Sequence, residues 1–262
     1  MMVKPVVLIF LLSTFIHGYG QFIPVVLDDK PYKAGEKLIF TIKFGPIIGG
    51  TASLILKQVY HNNKVVFHSV AEGKTVGIAE KLYSVKDVFE SYFDINTLLP
   101  YRIIRNVKEG NYRKHEEALL NRDSNTVYSV RKDTVLTIPP EILDMVSLIY
   151  FIRALDYSTI MPGDVLKTVT YFDDELFPFE IRYKGKEIIK TKYGKIRCLR
   201  FDPVVEPGRM FKSEDDMTVW ISDDRSHVPV KVRFDLLVGS LNVELDEYTN
   251  LKYPLVKPSH SK

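Results

Sequence analysis

Apolar and polar residues alternate with a period of two along most of the chain. The clearest stretch is 229–246, where Val230, Val232, Phe234, Leu236 and Val238 alternate with Lys231, Arg233 and Asp235. Gly239-Ser240 then forms a tight turn, and Leu241, Val243 and Leu245 alternate with Asn242, Glu244 and Asp246. Successive side chains of a strand point to opposite faces, so this pattern predicts a β-hairpin with one apolar and one wet face. Phe177, Phe179, Ile181 and Tyr183 alternate in the same way with Glu180, Arg182 and Lys184; Lys184-Gly185-Lys186 reads as the turn back, and Tyr193-Gly194-Lys195 opens a strand through Phe201. Near the start, EKLIFTIKF (36–44) and TASLILKQVY (51–60) flank the turn GPIIGG, and HNNK (61–64) leads into VVFHSVAEG. Further strands are predicted at 85–93, 101–109, 115–121, 125–131, 134–138, 164–173 and 215–222. That makes about 14 strands whose connections leave no room for parallel crossovers.

One segment breaks the period. PPEILDMVSLIYFIRALD (139–156) has the length and leucine/isoleucine content of a helix, predicted from Glu141 to Asp156, with Pro139 and Pro140 ahead of its first turn. It is apolar on nearly every side, which predicts burial, and Asp144 and Arg153 interrupt it too early for a membrane span. The expected architecture is all-β with one central helix: a large curved antiparallel sheet or open β-barrel wrapped round that helix. No repeat, low-complexity segment or linker divides it, so a single β-rich domain is expected over 36–254. An arm at 21–35 precedes that domain and a flexible tail at 255–262 follows it.

The N-terminus reads as an address. Lys4 precedes the unbroken apolar run VVLIFLLSTFI (6–16), and Gly18 and Gly20 supply small residues at −3 and −1 of a cleavage site. The run is too short to span a bilayer and fits the core of a secretory signal peptide at 1–20. The chain is therefore expected to be periplasmic or secreted after cleavage near Gly20, with no transmembrane segment thereafter. The single cysteine, Cys198, can form no internal disulfide, so the core must stabilise the fold. It sits in the strand-like IRCLRF with no histidine nearby, which fits a small buried hydrophobe.

Composition narrows the function by exclusion. The chain has 45% hydrophobic and 26% charged residues with a formal charge of +3, which is globular and gives no basic field for nucleic acid. The histidines lack metal-ligand spacing and no Cys-x-x-Cys occurs, so no metal site and no cofactor are expected. The pairs Asp173-Asp174, Asp215-Asp216 and Asp223-Asp224 sit at strand ends, where aspartate makes turns. No nucleophile elbow, phosphate loop or dinucleotide fingerprint is present, and the chain is expected not to be an enzyme. What remains are aromatic residues spread over nearly every strand, with Trp220 the one tryptophan. Tyr150, Phe151, Arg153 and Trp220 are the candidate ligand-binding residues. Arg153 on an apolar helix has two readings: a bridge to a strand acid, or a contact to an anionic ligand head group.

Three ordered pieces carry a resemblance. GEKLIFTIKFGPIIGGTASL (35–54), DMVSLIYFIRAL on the helix and VWISDDRSHVPVKVRF (219–234) resemble the exported bacterial family called domain of unknown function 3108. Asp144, Ser147, Tyr150 and Arg153 fill its helix pattern, and Trp220, Asp223, Asp224 and Pro229 its closing pattern; Phe44 stands where tryptophan is more usual. The resemblance implies an exported protein of Gram-negative bacteria without established activity, shaped like the half-barrels of periplasmic lipoprotein carriers. The expected function is a non-enzymatic carrier or binding module for an apolar small molecule, a lipid or a lipoprotein acyl chain. The alternative is a cell-envelope structural or protein-interaction protein with a filled core, whose partner would be another envelope protein.

Overall fold

The computed structural model describes residues 24–205 and 211–256; the segment read as a signal peptide lies outside the described residues. Eight strands come first: β1 (Lys37–Phe44), β2 (Ile47–His61), β3 (Lys64–Thr75), β4 (Lys86–Asp94), β5 (Pro100–Glu109), β6 (Tyr112–Asn121), β7 (Thr126–Ser129) and β8 (Thr134–Thr137). A one-turn helix, α1 (Gly77–Leu82), joins β3 to β4. After helix α2 (Met145–Arg153) come β9 (Val165–Phe172), β10 (Glu175–Thr191), β11 (Gly194–Pro203), β12 (Met217–Ser222), β13 (Pro229–Asp235) and β14 (Ser240–Thr249). All pair antiparallel in one sheet ordered β8-β7-β6-β5-β4-β3-β2-β1-β14-β13-β12-β11-β10-β9. The sheet curls round α2 and does not close, because β8 and β9 are its two edges. No helix among the described residues is long and apolar enough to cross a membrane.

The turns follow from residue chemistry. Asn62-Asn63 (φ 48° and 62°) and Asp173-Asp174 (φ 54° and 62°) hold the left-handed conformations that two-residue hairpin turns require. Gly185 does not turn the chain, as its sequence neighbourhood predicts. With φ 112° it forms a bulge inside the long strand β10, and the chain reverses only after Thr191. The bulge moves Ile189 onto the face opposite Tyr183, where it packs with Ile196, Cys198, Trp220 and Val230. The alternation at 229–246 also runs past the ladder. Strand β13 stops at Asp235, and Leu237 and Val238 protrude as a turn.

Helix α2 is shorter than its apolar run. Leu143 is held by backbone hydrogen bonds to β9, with its N–H on Val169 and its carbonyl taking the Tyr171 N–H, so the helix cannot begin before it. Asp144 caps it: Oδ1 accepts from the Val146 and Ser147 amides at 2.7 and 3.2 Å, while Ser147 Oγ accepts from the Asp144 amide at 3.0 Å. Ser91 of β4 donates to Asp144 Oδ2 at 2.5 Å and ties the cap to the sheet. Tyr150 packs among Tyr32, Leu38, Leu56, Phe67 and Phe93, and takes a hydrogen bond from Ser69 Oγ at 3.1 Å. The arm is therefore anchored rather than loose: Tyr32 is buried there, with its hydroxyl donating to the Tyr150 carbonyl at 3.1 Å. At the other terminus Leu255, read from sequence as the start of the tail, packs against the core.

Candidate functional site

The inward-facing side chains are not equally covered. Along β1, Leu38 is fully buried, Phe40 is 9% exposed, Ile42 is half-buried and Phe44 is 45% exposed. Along β10 the same gradient runs from Ile181 (3%) through Phe179 to Phe177 (40%). It recurs from Phe93 to Phe89, from Leu54 to Ala52, from Ile221 to Val219 and from Leu245 to Val243. In these six strands exposure rises towards the end that carries the β1–β2, β9–β10 and β13–β14 turns, whereas Val107 of β5, Thr170 of β9 and Phe201 of β11 stay buried near it. The cause is the position of α2, whose Tyr150, Arg153 and Val146 side fills one end of the barrel. Met145, Ile149 and Ile152, at i, i+4 and i+7, share an adjacent side, about 100° round the helix, and stay exposed or half-buried. The result is an apolar cup, floored by that side of the helix and walled by the upper strand residues. Its wall includes small residues: a Cβ added to inward-facing Gly73 would meet no atom within 4 Å.

The four sequence-predicted site residues are not brought together in this cup. Tyr150 and Arg153 point to the filled end and are completely buried. Arg153 meets Glu36, just ahead of β1, in a two-pronged pair: Nη1 to Oε1 at 2.5 Å and Nη2 to Oε2 at 3.0 Å. Its Nε donates to the His227 carbonyl at 3.0 Å and Nη2 to the Ser226 carbonyl at 3.3 Å. Burial works against the Arg153 charge, and the Glu36 carboxylate more than offsets it, so its pKa is raised. Of the two readings of Arg153, the geometry has the bridge to an acid. Phe151 is half-buried between the main core and the cluster of Leu166, Ile181 and Phe201. Trp220 lies on the outer face, where its indole N–H donates to Glu187 Oε2 at 2.9 Å. Beside it burial pushes the Cys198 thiol up to about 12, the behaviour of a packed rather than a reactive cysteine. Sequence reading missed Glu36 and Tyr32. Nothing in the spacing links Glu36 to Arg153, 117 residues away.

A charged cluster flanks the cup at the seam between the sheet's edges. Asp173 and Asp174 of the β9–β10 turn reach across it: Lys114 of β6 binds Asp173, and Arg131 of the β7–β8 turn binds Asp174. Glu116 accepts a hydrogen bond from Arg105 at 2.9 Å and forms an ion pair with Lys114 at 2.9 Å, and Arg105 lies over the Phe172 ring at 4.3 Å. Glu116, Asp173 and Asp174 are close enough to ligate one ion. Arg105, Lys114, Arg131 and Lys132 already neutralise these three carboxylates, so the chemistry is that of an ion-pair clasp. The hydrogen bond from Lys114 is the main reason the Asp173 pKa is held down to about 2. Because this value lies below that of the unfolded chain, about 3.9, the clasp stabilises the fold above about pH 4 and weakens as pH falls towards 2. We expect the melting temperatures of wild type and Asp173→Asn to differ at neutral pH and to converge between about pH 4 and pH 2. A constant difference across that range would show that Asp173 does not clasp the seam.

The sequence matches the family profile "Protein of unknown function (DUF3108)" over residues 39–246, nearly the whole sheet. The chain belongs to the DUF3108 family. The match starts within β1 and ends within β14, so this family's unit is the 14-stranded sheet itself. Among solved structures, the chain is similar to a crystallised β-barrel-like protein of domain of unknown function DUF1849 from Brucella abortus. The two share 10% identity at a TM-score of 0.53, with 83% of this chain and 98% of the other covered. At that identity the likeness concerns the fold alone. No curated protein matches the sequence. Neither DUF3108 nor the structural neighbour carries an indication of catalysis.

Proposed function

We propose that this DUF3108 protein is a non-enzymatic, exported binding module that holds an apolar molecule, such as a lipid or an acyl chain, in the open end of its barrel. The observation that carries the reading is the gradient of exposure along the inner face. A domain built only to be stable would cover Ile42, Phe89, Phe179 and Val243, and leaving them half-covered forgoes about 25 cal/mol for each Å² left wet. Concave apolar walls with a few polar groups to one side are the usual make-up of a small-molecule site, and the seam clasp supplies the polar side. The signal-like N-terminus supports a location in the cell envelope, where lipids and acylated proteins are at hand. The alternative reading, an interaction protein with a filled core, draws support from the closed end, where α2, Tyr32 and Phe93 leave no comparable exposure.

Gly73 separates the two. Its conformation is open to other residues and its missing side chain would project into the cup. The chain lacking residues 1–20 is expected to bind a fluorescent fatty acid saturably. Gly73→Phe should lose at least about tenfold in affinity, the 1.4 kcal/mol equivalent, with an unchanged melting temperature. Failure of the wild type to bind the fatty acid, or equal binding by the variant, would sink the carrier reading in favour of a filled interaction protein.

A further inference from the structure

The rim of the open end is itself apolar. Phe44 lies against the β13–β14 turn: a Cβ on Gly239 would come within 2.7 Å of its ring. Ile47 and Ile48 open β2 just after the β1–β2 turn, and α1 is tied to β2 by the Val76 amide, which donates to the Gly49 carbonyl at 3.0 Å. Tyr83 then packs over Gly110 of the β5–β6 turn. Side chains from four separate connections therefore stand side by side at one end of the barrel. The outermost are aliphatic and open to solvent: Ile78 at 74%, Leu82 at 81% and Val238 at 79% exposure. Isolated apolar side chains on a surface are ordinary, but a contiguous group at the mouth of a site marks a contact surface.

The charge around this group indicates its partner. Residues 43–48, 74–87, 108–113 and 236–239 contain six basic and three acidic side chains. Glu72 and Glu244, just outside these ranges, pair with Lys74, Lys86 and Lys43, so the local excess is one positive charge. Lys74, Lys81, Lys86 and Lys108 are exposed beside the aliphatic tips. Long ammonium side chains next to protruding aliphatic ones suit an interface whose interior is hydrocarbon and whose surface is anionic. A folded protein partner would call for one flat apolar patch. Here the apolar groups are tips of separate turns, each backed by polar backbone.

We infer that the open rim docks on an anionic lipid bilayer, with Ile78, Leu82, Leu237 and Val238 entering the headgroup region and the lysines meeting lipid phosphates. The inference extends the carrier reading, since it sets the mouth of the cup where an apolar ligand could pass without crossing water. Docking itself does not require the cup to be occupied.

The test is co-sedimentation of the chain lacking residues 1–20 with vesicles of phosphatidylglycerol and phosphatidylethanolamine, and with vesicles of phosphatidylcholine. Binding to the anionic vesicles is expected, weaker binding to the neutral ones, and loss of binding in high salt. Ile78→Glu/Leu82→Glu and, separately, Leu237→Glu/Val238→Glu should reduce sedimentation at least tenfold while melting temperature and fatty-acid binding stay as in the wild type. Wild type that stays in solution with either vesicle, or tip variants that sediment like it, would overturn docking. So would a wild-type dimer that the tip substitutions split into monomers without a change in sedimentation. Fatty-acid binding without vesicle binding removes the docking inference alone; vesicle binding without fatty-acid binding removes the carrier reading alone.

Discussion

Replacing Arg153 by methionine is expected to cost about 3–5 kcal/mol of folding stability, because the change leaves the Glu36 carboxylate buried and unpaired. Both side chains are essentially out of water, and the guanidinium also satisfies the Ser226 and His227 carbonyls. For a chain of this size the loss corresponds to a fall of roughly 6–20 °C in melting temperature. The double variant Arg153→Met/Glu36→Leu should recover much of it, since a buried ion pair replaced by apolar groups of similar volume is often close to neutral. Urea denaturation of the two single variants and the double variant measures both effects. Additive losses in the double variant would mean that the two residues do not form one unit. The pair joins the end of α2 to the start of β1, so losing it removes the tie at the helix C-terminus while Ser69 and Ser91 still hold the rest.

Phe93 and Phe89 make the second test, because they share a strand and a face and differ in cover. Phe93 is fully buried against Phe67 and Tyr150, with ring centroids 5.7 and 5.4 Å away. Its truncation to alanine should cost about 3–5 kcal/mol through lost contacts and a residual cavity. Phe89 is half-buried on the cup wall, so Phe89→Ala should cost less than about 2 kcal/mol, since less apolar area leaves its packed surroundings. Equilibrium unfolding of the two variants at the same pH compares them. Equal losses would mean that the barrel is packed alike at both ends and that no cup exists.

Much of the sheet was legible because alternation is written in local sequence. The predicted strands at 85–93, 101–109 and 164–173 fall within a residue of β4, β5 and β9 at each end. The failures occur where a nonlocal contact or a glycine changes the meaning of a local pattern. Leu143 has the composition of a helical residue, and its backbone bonds to β9 shorten α2. Gly185 between two lysines has the look of a turn, yet the partner strand β11 runs past it and makes it a bulge. Helix α1 has six residues, too few for any periodicity to register. At the site, aromatic and charged residues on the helix could be singled out, but not the end of the barrel to which each would point. That depends on how the helix is rotated inside the sheet, which Glu36, Ser69 and Ser91 fix from far away in sequence. The cup is built from ordinary strand residues such as Ile42, Phe89 and Val243, distinguished only by the cover they lack.

The order of the sheet has a further consequence, for the way the chain assembles. Every ladder but one joins strands that follow each other in sequence; the exception pairs β1 with β14. Lys43 and Glu244, an ion pair across that junction, lie 201 residues apart. Hairpins close short loops and form early, whereas closing a loop of about 200 residues costs the most chain entropy of any step. The chain is thus two meanders, one complete once β8 has emerged and the other only at its last strand. Until they meet, β1 presents a bare edge to whatever else shares its compartment, beside the β2 face that carries Leu54 and Leu56. A chain passing through a membrane unfolded and arriving N-terminus first would hold that edge open until its C-terminal strands arrive, and this is the interval in which a chaperone would matter most.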